Sequence, residues 1–283
     1  MDFKTWKTIR GPLDDFVKVR EISTCEELLA CIQGLQFNDP RWAFRGQSDS
    51  NWGLKTTIER CATRPGIAEE WVIGEFKRRA HHYVRDVPHD EDTLEWLALM
   101  QHYGAPTRLL DWTKSPYVAA FFAAESGNSE LPFAIWAIDQ KSVSAEVRTM
   151  LGLIDEADLS SRENFRKVFV DQQPEDLYVV APVQPQRMNA RLTIQQGMFL
   201  YANHQLLGFE TCLKNVLHHA SQRGTDRGDW LHKLEIAPAE RLNVLKALNR
   251  MNLNFATLFP GLDGFARSLR TSTEIRDHDQ NEK

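Results

Sequence analysis

Three short segments hold residues whose types and spacing could do chemistry. In residues 42–54, WAFRGQSDSNWGL, an apolar run delivers Arg45, Gly46 and Gln47 into a polar, turn-forming stretch. An arginine at the inner end of an apolar run is costly to bury unless it meets an anion, and the following glycine lets another group approach the backbone closely. The pairing suits a phosphate-bearing ligand; it also suits a strand closing into a turn. In residues 101–115, Thr107, Arg108, Asp111, Thr113 and Ser115 fall within nine positions, interleaved with Leu109, Leu110 and Trp112. Alternate side chains of an extended segment share a face, so Asp111, Thr113 and Ser115 can point into one cleft. The alternative is that Ser115 caps the helix behind it, Asp111 pairs with Arg108, and Thr113 bonds nearby backbone. In residues 191–199, RLTIQQGMF, Gln195 and Gln196 precede Gly197, where amides either bond the polar edge of a ligand or satisfy a turn.

Other catalytic patterns are missing. There is no GxSxG, no GxGxxG after a strand and no GxxxxGK[ST], so neither a nucleophile elbow, a Rossmann site nor a P-loop is supported. His81-His82 and His218-His219 are adjacent pairs whose side chains diverge on a helix, and no HExxH or Cys/His set completes a metal site. His102 adjoins the candidate cleft, where a structural role is the simpler one. Cys25, Cys31, Cys61 and Cys212 have no CxxC spacing and read as free thiols of a cytoplasmic protein. The net charge of -5 argues against a nonspecific nucleic-acid coat, although 34 basic residues leave room for a local basic pocket. No apolar run has the length needed to cross a bilayer, so membrane insertion is not expected.

The elements that must position these residues follow from periodicity. A short strand leads to a helix from Thr24, with Leu28, Leu29 and Ile32 at helical spacing and Gly34 as its stop. The Arg45 strand comes next, then a charged helical run over residues 67–85. Asp92-Thr-Leu-Glu95 has the form of a capping box for a helix ending at Gly104. Ser115 and Pro116 start a third helix, VAAFFAA, too apolar for a surface. Strands are expected over 133–138, 177–181 and 230–236, a strand or hairpin over 190–201, and a helix after Pro238. The tail, 271–283, reads as polar and frayed. Without a regular βαβ rhythm, this is an α+β domain: a curved mixed or antiparallel sheet with surrounding helices.

Residues 42–54, 97–123, 191–199 and the ending LFPGLDGFARSL together resemble the FRG-domain family, named for a triplet that is Phe44-Arg45-Gly46 here. The resemblance implies an FRG domain over 21–270, between an N-terminal lead-in (1–20) and the tail. Its layout is similar to the ADP-ribosyltransferase fold of the class with an Arg-Gly strand, a Ser/Thr-rich strand and a Glu-bearing loop. On that similarity Arg45 would hold the pyrophosphate or ribose of NAD and Gly46 its nicotinamide amide. Gln47, Thr107 and Arg108 would complete the site, with Thr113 and Ser115 as the Ser/Thr-rich strand and Tyr103 or Trp112 packing on nicotinamide. Where the class has its catalytic glutamate, this chain has Gln195 and Gln196. Gln196 would then orient an acceptor, while Asp111, or failing it Glu210, would supply the carboxylate. The implied function is an NAD-dependent transferase acting as a bacterial toxin or anti-phage effector, with a neutralising antitoxin protein as partner; Gln195-Gln196 in place of the glutamate suits the hydrogen-bonding edge of a base, and Trp52 and Trp112 could stack one, which favours RNA or another nucleic acid as acceptor over a protein arginine. The alternatives from the residues themselves are a noncatalytic nucleotide-binding module and a nucleic-acid binder using Arg45, Lys55, Arg60, Arg187 and Arg191.

Overall fold

The computed structural model describes all residues except 1–5, 9–12, 35, 36, 38, 127–129, 154–157, 172–176, 227, 282 and 283. In chain order the elements are β1 (Trp6–Thr8), β2 (Val17–Ile22), α1 (Cys25–Gln33), β3 (Trp42–Gln47), α2 (Thr57–Cys61), α3 (Pro65–Ala80), α4 (Thr93–His102) and β4 (Leu109–Thr113). Then come α5 (Pro116–Glu125), β5 (Phe133–Asp139), α6 (Gln140–Met150), α7 (Arg162–Arg166), β6 (Val180–Val183), α8 (Ala190–Ile194) and β7 (Gly197–Ala202). The chain closes with α9 (Phe209–Gln222), β8 (Leu231–Ile236), α10 (Arg241–Arg250), α11 (Phe255–Leu258) and α12 (Leu262–Asn281).

The strands form one mixed sheet in the order β1-β2-β8-β5-β3-β4-β7-β6. β2 and β8 run parallel, and the other neighbours are antiparallel. Side-chain alternation splits the core between the two faces. Trp42, Phe44, Ile135 and Leu234 pack against α1, α5 and α10, while Ala43, Trp136, Ile138 and Leu110 belong to a second cluster with residues of α4, α6 and α9. An α+β architecture is therefore present. Among the described residues no helix is long and apolar enough to cross a membrane, and all four cysteines are free.

Local chemistry explains the helix starts. The Thr24 hydroxyl accepts from the Glu27 amide at 3.1 Å and Ser115 Oγ from the Val118 amide at 3.3 Å. Gly104, at φ +82°, takes the left-handed position after α4. The expected capping box there does not form: the Asp92 carboxylate pairs with Arg162, and Glu95 accepts from the Gln186 amide at 2.6 Å. Residues 190–201 form neither one strand nor a hairpin but α8, a left-handed turn at Gln196 and β7. As far as residue 281 the tail is helical rather than frayed, because the end of α12 ties to α10 through Arg241–Glu274 and through Lys246–Asp279 at 2.6 Å; residues 282 and 283 lie outside the described residues. The boundaries expected at 20/21 and 270/271 thus fall inside β2 and α12.

Candidate functional site

β3 and β4 share a single register pair, Phe44 with Thr113. β5 continues to pair with β3 as far as Gln47, so the sheet opens on the β4 side beyond Phe44. The Asp111 carbonyl there accepts from the Arg45 guanidinium at 2.7 Å instead of from a strand neighbour. A cleft of about 830 Å³ lies at this opening, lined by Arg45, Gly46 and Gln47, by Ser48, Asn51, Trp52, Gly53 and Lys55 of the segment that follows, and by Arg60, Asp111, Trp112, Arg191 and Gln195. Such a volume is of the size that small-molecule and cofactor sites occupy.

The cleft is electropositive. Arg45, Lys55, Arg60 and Arg191 line it against one carboxylate, Asp111, and none of the four forms an ion pair among the described residues. Burial pulls the Arg45 guanidinium below its ordinary value, with Asp111 opposing and Arg60 adding to the shift. Arg191 is lowered in the same way by burial; Asp111 opposes and Arg267 adds. Arg60 donates to the Lys55 carbonyl at 2.6 Å, and the Arg191 guanidinium lies 4.3 Å from the centre of the Phe259 ring. Two buried donors, Arg45 Nε and Trp112 Nε1, have no hydrogen-bond partner among the described residues. A buried unpaired donor is costly, and both belong to residues that line the cleft.

Asp111 is oriented from behind. Gln101 Nε2 donates to its Oδ2 at 2.7 Å, and Gln101 Oε1 accepts from the Thr107 hydroxyl at 2.6 Å. Thr107, fully buried, therefore fixes which way the Gln101 amide faces. The other carboxylate oxygen, Oδ1, makes no hydrogen bond among the described residues.

Of the expected site residues, Arg45, Gly46, Gln47, Asp111, Trp112 and Thr113 do line one cleft. Several take other roles there. A Cβ on Gly46 would sit 2.1 Å from the Ala119 carbonyl oxygen, so the backbone that approaches this glycine is α5. Both ends of the Gln47 amide are used, by Trp136 Nε1 at 2.6 Å and by the Gly53 carbonyl at 3.0 Å. Thr113 donates to the Gln195 carbonyl at 2.6 Å and accepts from the Ser115 amide, while Ser115 caps α5.

Arg108 does not enter the cleft. It is held in a buried pair with Glu69 at 2.6 Å and donates to the Tyr201 hydroxyl at 3.0 Å, which rules out the alternative pairing of Asp111 with Arg108. Tyr103 and Arg187 line a separate, smaller cavity together with His102, whose imidazole burial and Arg191 lower. Gln196 lies outside the cleft in its left-handed turn, and the Gln195 side chain is taken by the Leu258 carbonyl at 3.0 Å. Glu210 accepts from the Leu54 amide at 2.7 Å, beneath Gly53. Sequence reasoning missed Gln101 as the partner of Asp111 and Arg267 as the neighbour of Arg191. The turn at Gly104, folding α4 back along the following strand, was the one local signal for the first; α12 reaches Arg191 only through tertiary packing.

Residues 40–131 match the family model of the FRG domain. That span contains Arg45, Lys55, Arg60, Asp111 and Trp112 but not Arg191 or Gln195. No match was found among curated proteins or solved structures.

Proposed function

For a chain that carries an FRG domain, we propose an NAD-dependent ADP-ribosyl transfer activity centred on the cleft between β3 and β4. The observation that carries this reading is the excess of unpaired cations around Arg45, facing a single oriented carboxylate. Support also comes from the sheet order, in which the Arg45 strand, the Asp111–Thr113 strand and the strand after Gln195-Gln196 are neighbours. Arg45, with Arg60, meets the pyrophosphate, and Trp112 Nε1 offers a donor to a ligand oxygen. The bond from the anomeric carbon to nicotinamide breaks, nicotinamide leaves with its electron pair, and an acceptor hydroxyl or amine forms the new bond to that carbon. The acceptor's proton passes to Asp111, whose negative charge also offsets the oxocarbenium character of the transition state. Gln195 and Gln196 have no part in these steps.

The toxin or defence setting and an antitoxin partner rest on the family resemblance alone. A noncatalytic nucleotide-binding module is the second reading, favoured by the absence of a glutamate among the described residues that line the cleft. Nicotinamide release by purified protein, measured alongside calorimetric binding of NAD and ADP-ribose, separates the two. Release abolished by Arg45→Ala supports transfer; binding of both ligands without release supports the module; binding of neither removes both.

A further inference from the structure

We infer that the cleft takes a second anionic partner beside the dinucleotide, a single strand of nucleic acid lying against Lys55, Arg191 and Arg267 with a base stacked on Trp52. Its role as acceptor rests on the NAD reading; its binding does not.

The first argument is charge. Four cations against one carboxylate leave three positive charges in excess. NAD, with two pyrophosphate negatives and one nicotinamide positive, offsets one of them. Arg267, close enough to depress Arg191, adds another positive charge at the same end. The chain as a whole carries a net charge of -5, so this is a local concentration that a polyanion finds against the general field. Lys55 and Arg267 are exposed, as phosphate contacts require.

The second argument is Trp52, which lines the cleft and is 56% exposed. Its loop is anchored from several directions. The Trp52 amide bonds the Asp49 carbonyl at 3.2 Å, Gln47 holds the Gly53 carbonyl, and the buried Lys233 ammonium holds the Ser50 carbonyl. An exposed indole on a fixed loop beside a cationic groove is a stacking platform for unpaired bases. Duplex bases are already stacked and paired, so the arrangement selects a single strand.

The test is fluorescence anisotropy with a labelled single-stranded RNA, DNA of the same sequence, and the duplex, over a range of salt and with or without NAD. Single strands should bind more tightly than duplex. At two or more phosphate contacts the log–log salt slope should be about -1.4 or steeper, and Lys55→Ala or Arg267→Ala should each flatten it by about 0.7. Trp52→Ala should weaken binding about 5- to 150-fold at an unchanged slope, whereas Trp52→Phe should keep most of the affinity. Preference for RNA would identify the 2′-hydroxyl as read; equal binding of RNA and DNA would assign recognition to phosphate and base alone. The inference is overturned if neither strand binds, if duplex is preferred, or if the Trp52 and charge variants bind like the parent. Strand binding without nicotinamide release would remove the NAD reading and leave this one standing; release without strand binding would do the reverse.

Discussion

At the scale of the residue, the cleft turns on one guanidinium and one carboxylate that meet through backbone rather than as an ion pair. Arg45 gives its Nη1 proton to the Asp111 carbonyl, so the Asp111 side chain is left to Gln101 and the cleft. Arg45→Ala should abolish NAD binding while changing stability by no more than about 1.5 kcal/mol, because one hydrogen bond is lost but a desolvated charge goes with it. Melting curves with and without NAD check this: a ligand at about 100 times its Kd stabilises the parent by about 2.7 kcal/mol, and the variant should show no such gain. Asp111→Asn keeps shape and removes the base, so nicotinamide release should fall about 10²- to 10⁴-fold with NAD binding retained. Wild-type release from that variant would take Asp111 off the list. Gln101→Leu tests orientation. It should lower kcat and leave KM for NAD within about twofold, since Gln101 touches the carboxylate and not the ligand.

At the scale of the element, β3 and α5 are pressed together at Gly46, with the Ala119 carbonyl and the Ala123 amide 2.1 and 2.5 Å from where a Cβ would be. Both contacts are backbone, so the helix itself would have to move. Gly46→Ala should therefore destabilise by about 1–3 kcal/mol or more in urea unfolding, and its loss of activity should follow its loss of fold. A glycine in an apolar strand is readable in sequence, but whether a helix or a ligand presses on it is not. Where one element satisfies itself, reading was direct: Thr24 and Ser115 cap their own helices, and Leu28 and Ile32 share a buried face. Where a distant element supplies the partner, it failed. Asp92 left its capping role for Arg162, Gln195 turned to Leu258, and the polar end of α12 is helical because Arg241 and Lys246 hold it. The helical spacing of Leu213, Val216, Leu217 and Ala220 in α9 was present in the sequence and went unread. The parting of β3 from β4, which makes the cleft, has no signal in either strand alone.

At the scale of the whole molecule, acid should loosen the fold from the middle of the sheet. His232, on β8, is buried edge-on against Trp42 and Phe37, with ring centroids 5.1 and 5.7 Å away. Its Nε2 donates to the Asp229 carbonyl at 2.9 Å. Burial holds the imidazole neutral, lowering it to about 4 from an ordinary value of 6.5. Between those values the unfolded chain binds a proton that the folded chain refuses. Stability must then fall as pH drops from 6.5 towards 4, and this group contributes no further loss below that. The gap corresponds to a loss on the order of 3 kcal/mol, a large share of the roughly 5–15 kcal/mol that holds a typical domain. Asp226, whose carboxyl burial pushes up, works in the opposite sense, since its folded form binds the proton more readily and is favoured by acid. Comparison with a variant separates the two. His232→Gln keeps an amide donor for Asp229 and cannot titrate, so it should be less stable than the parent near neutrality, and urea midpoints should show that difference shrinking as pH falls from 6.5 to 4. Parallel curves for parent and variant would mean that His232 is not the group through which acid acts.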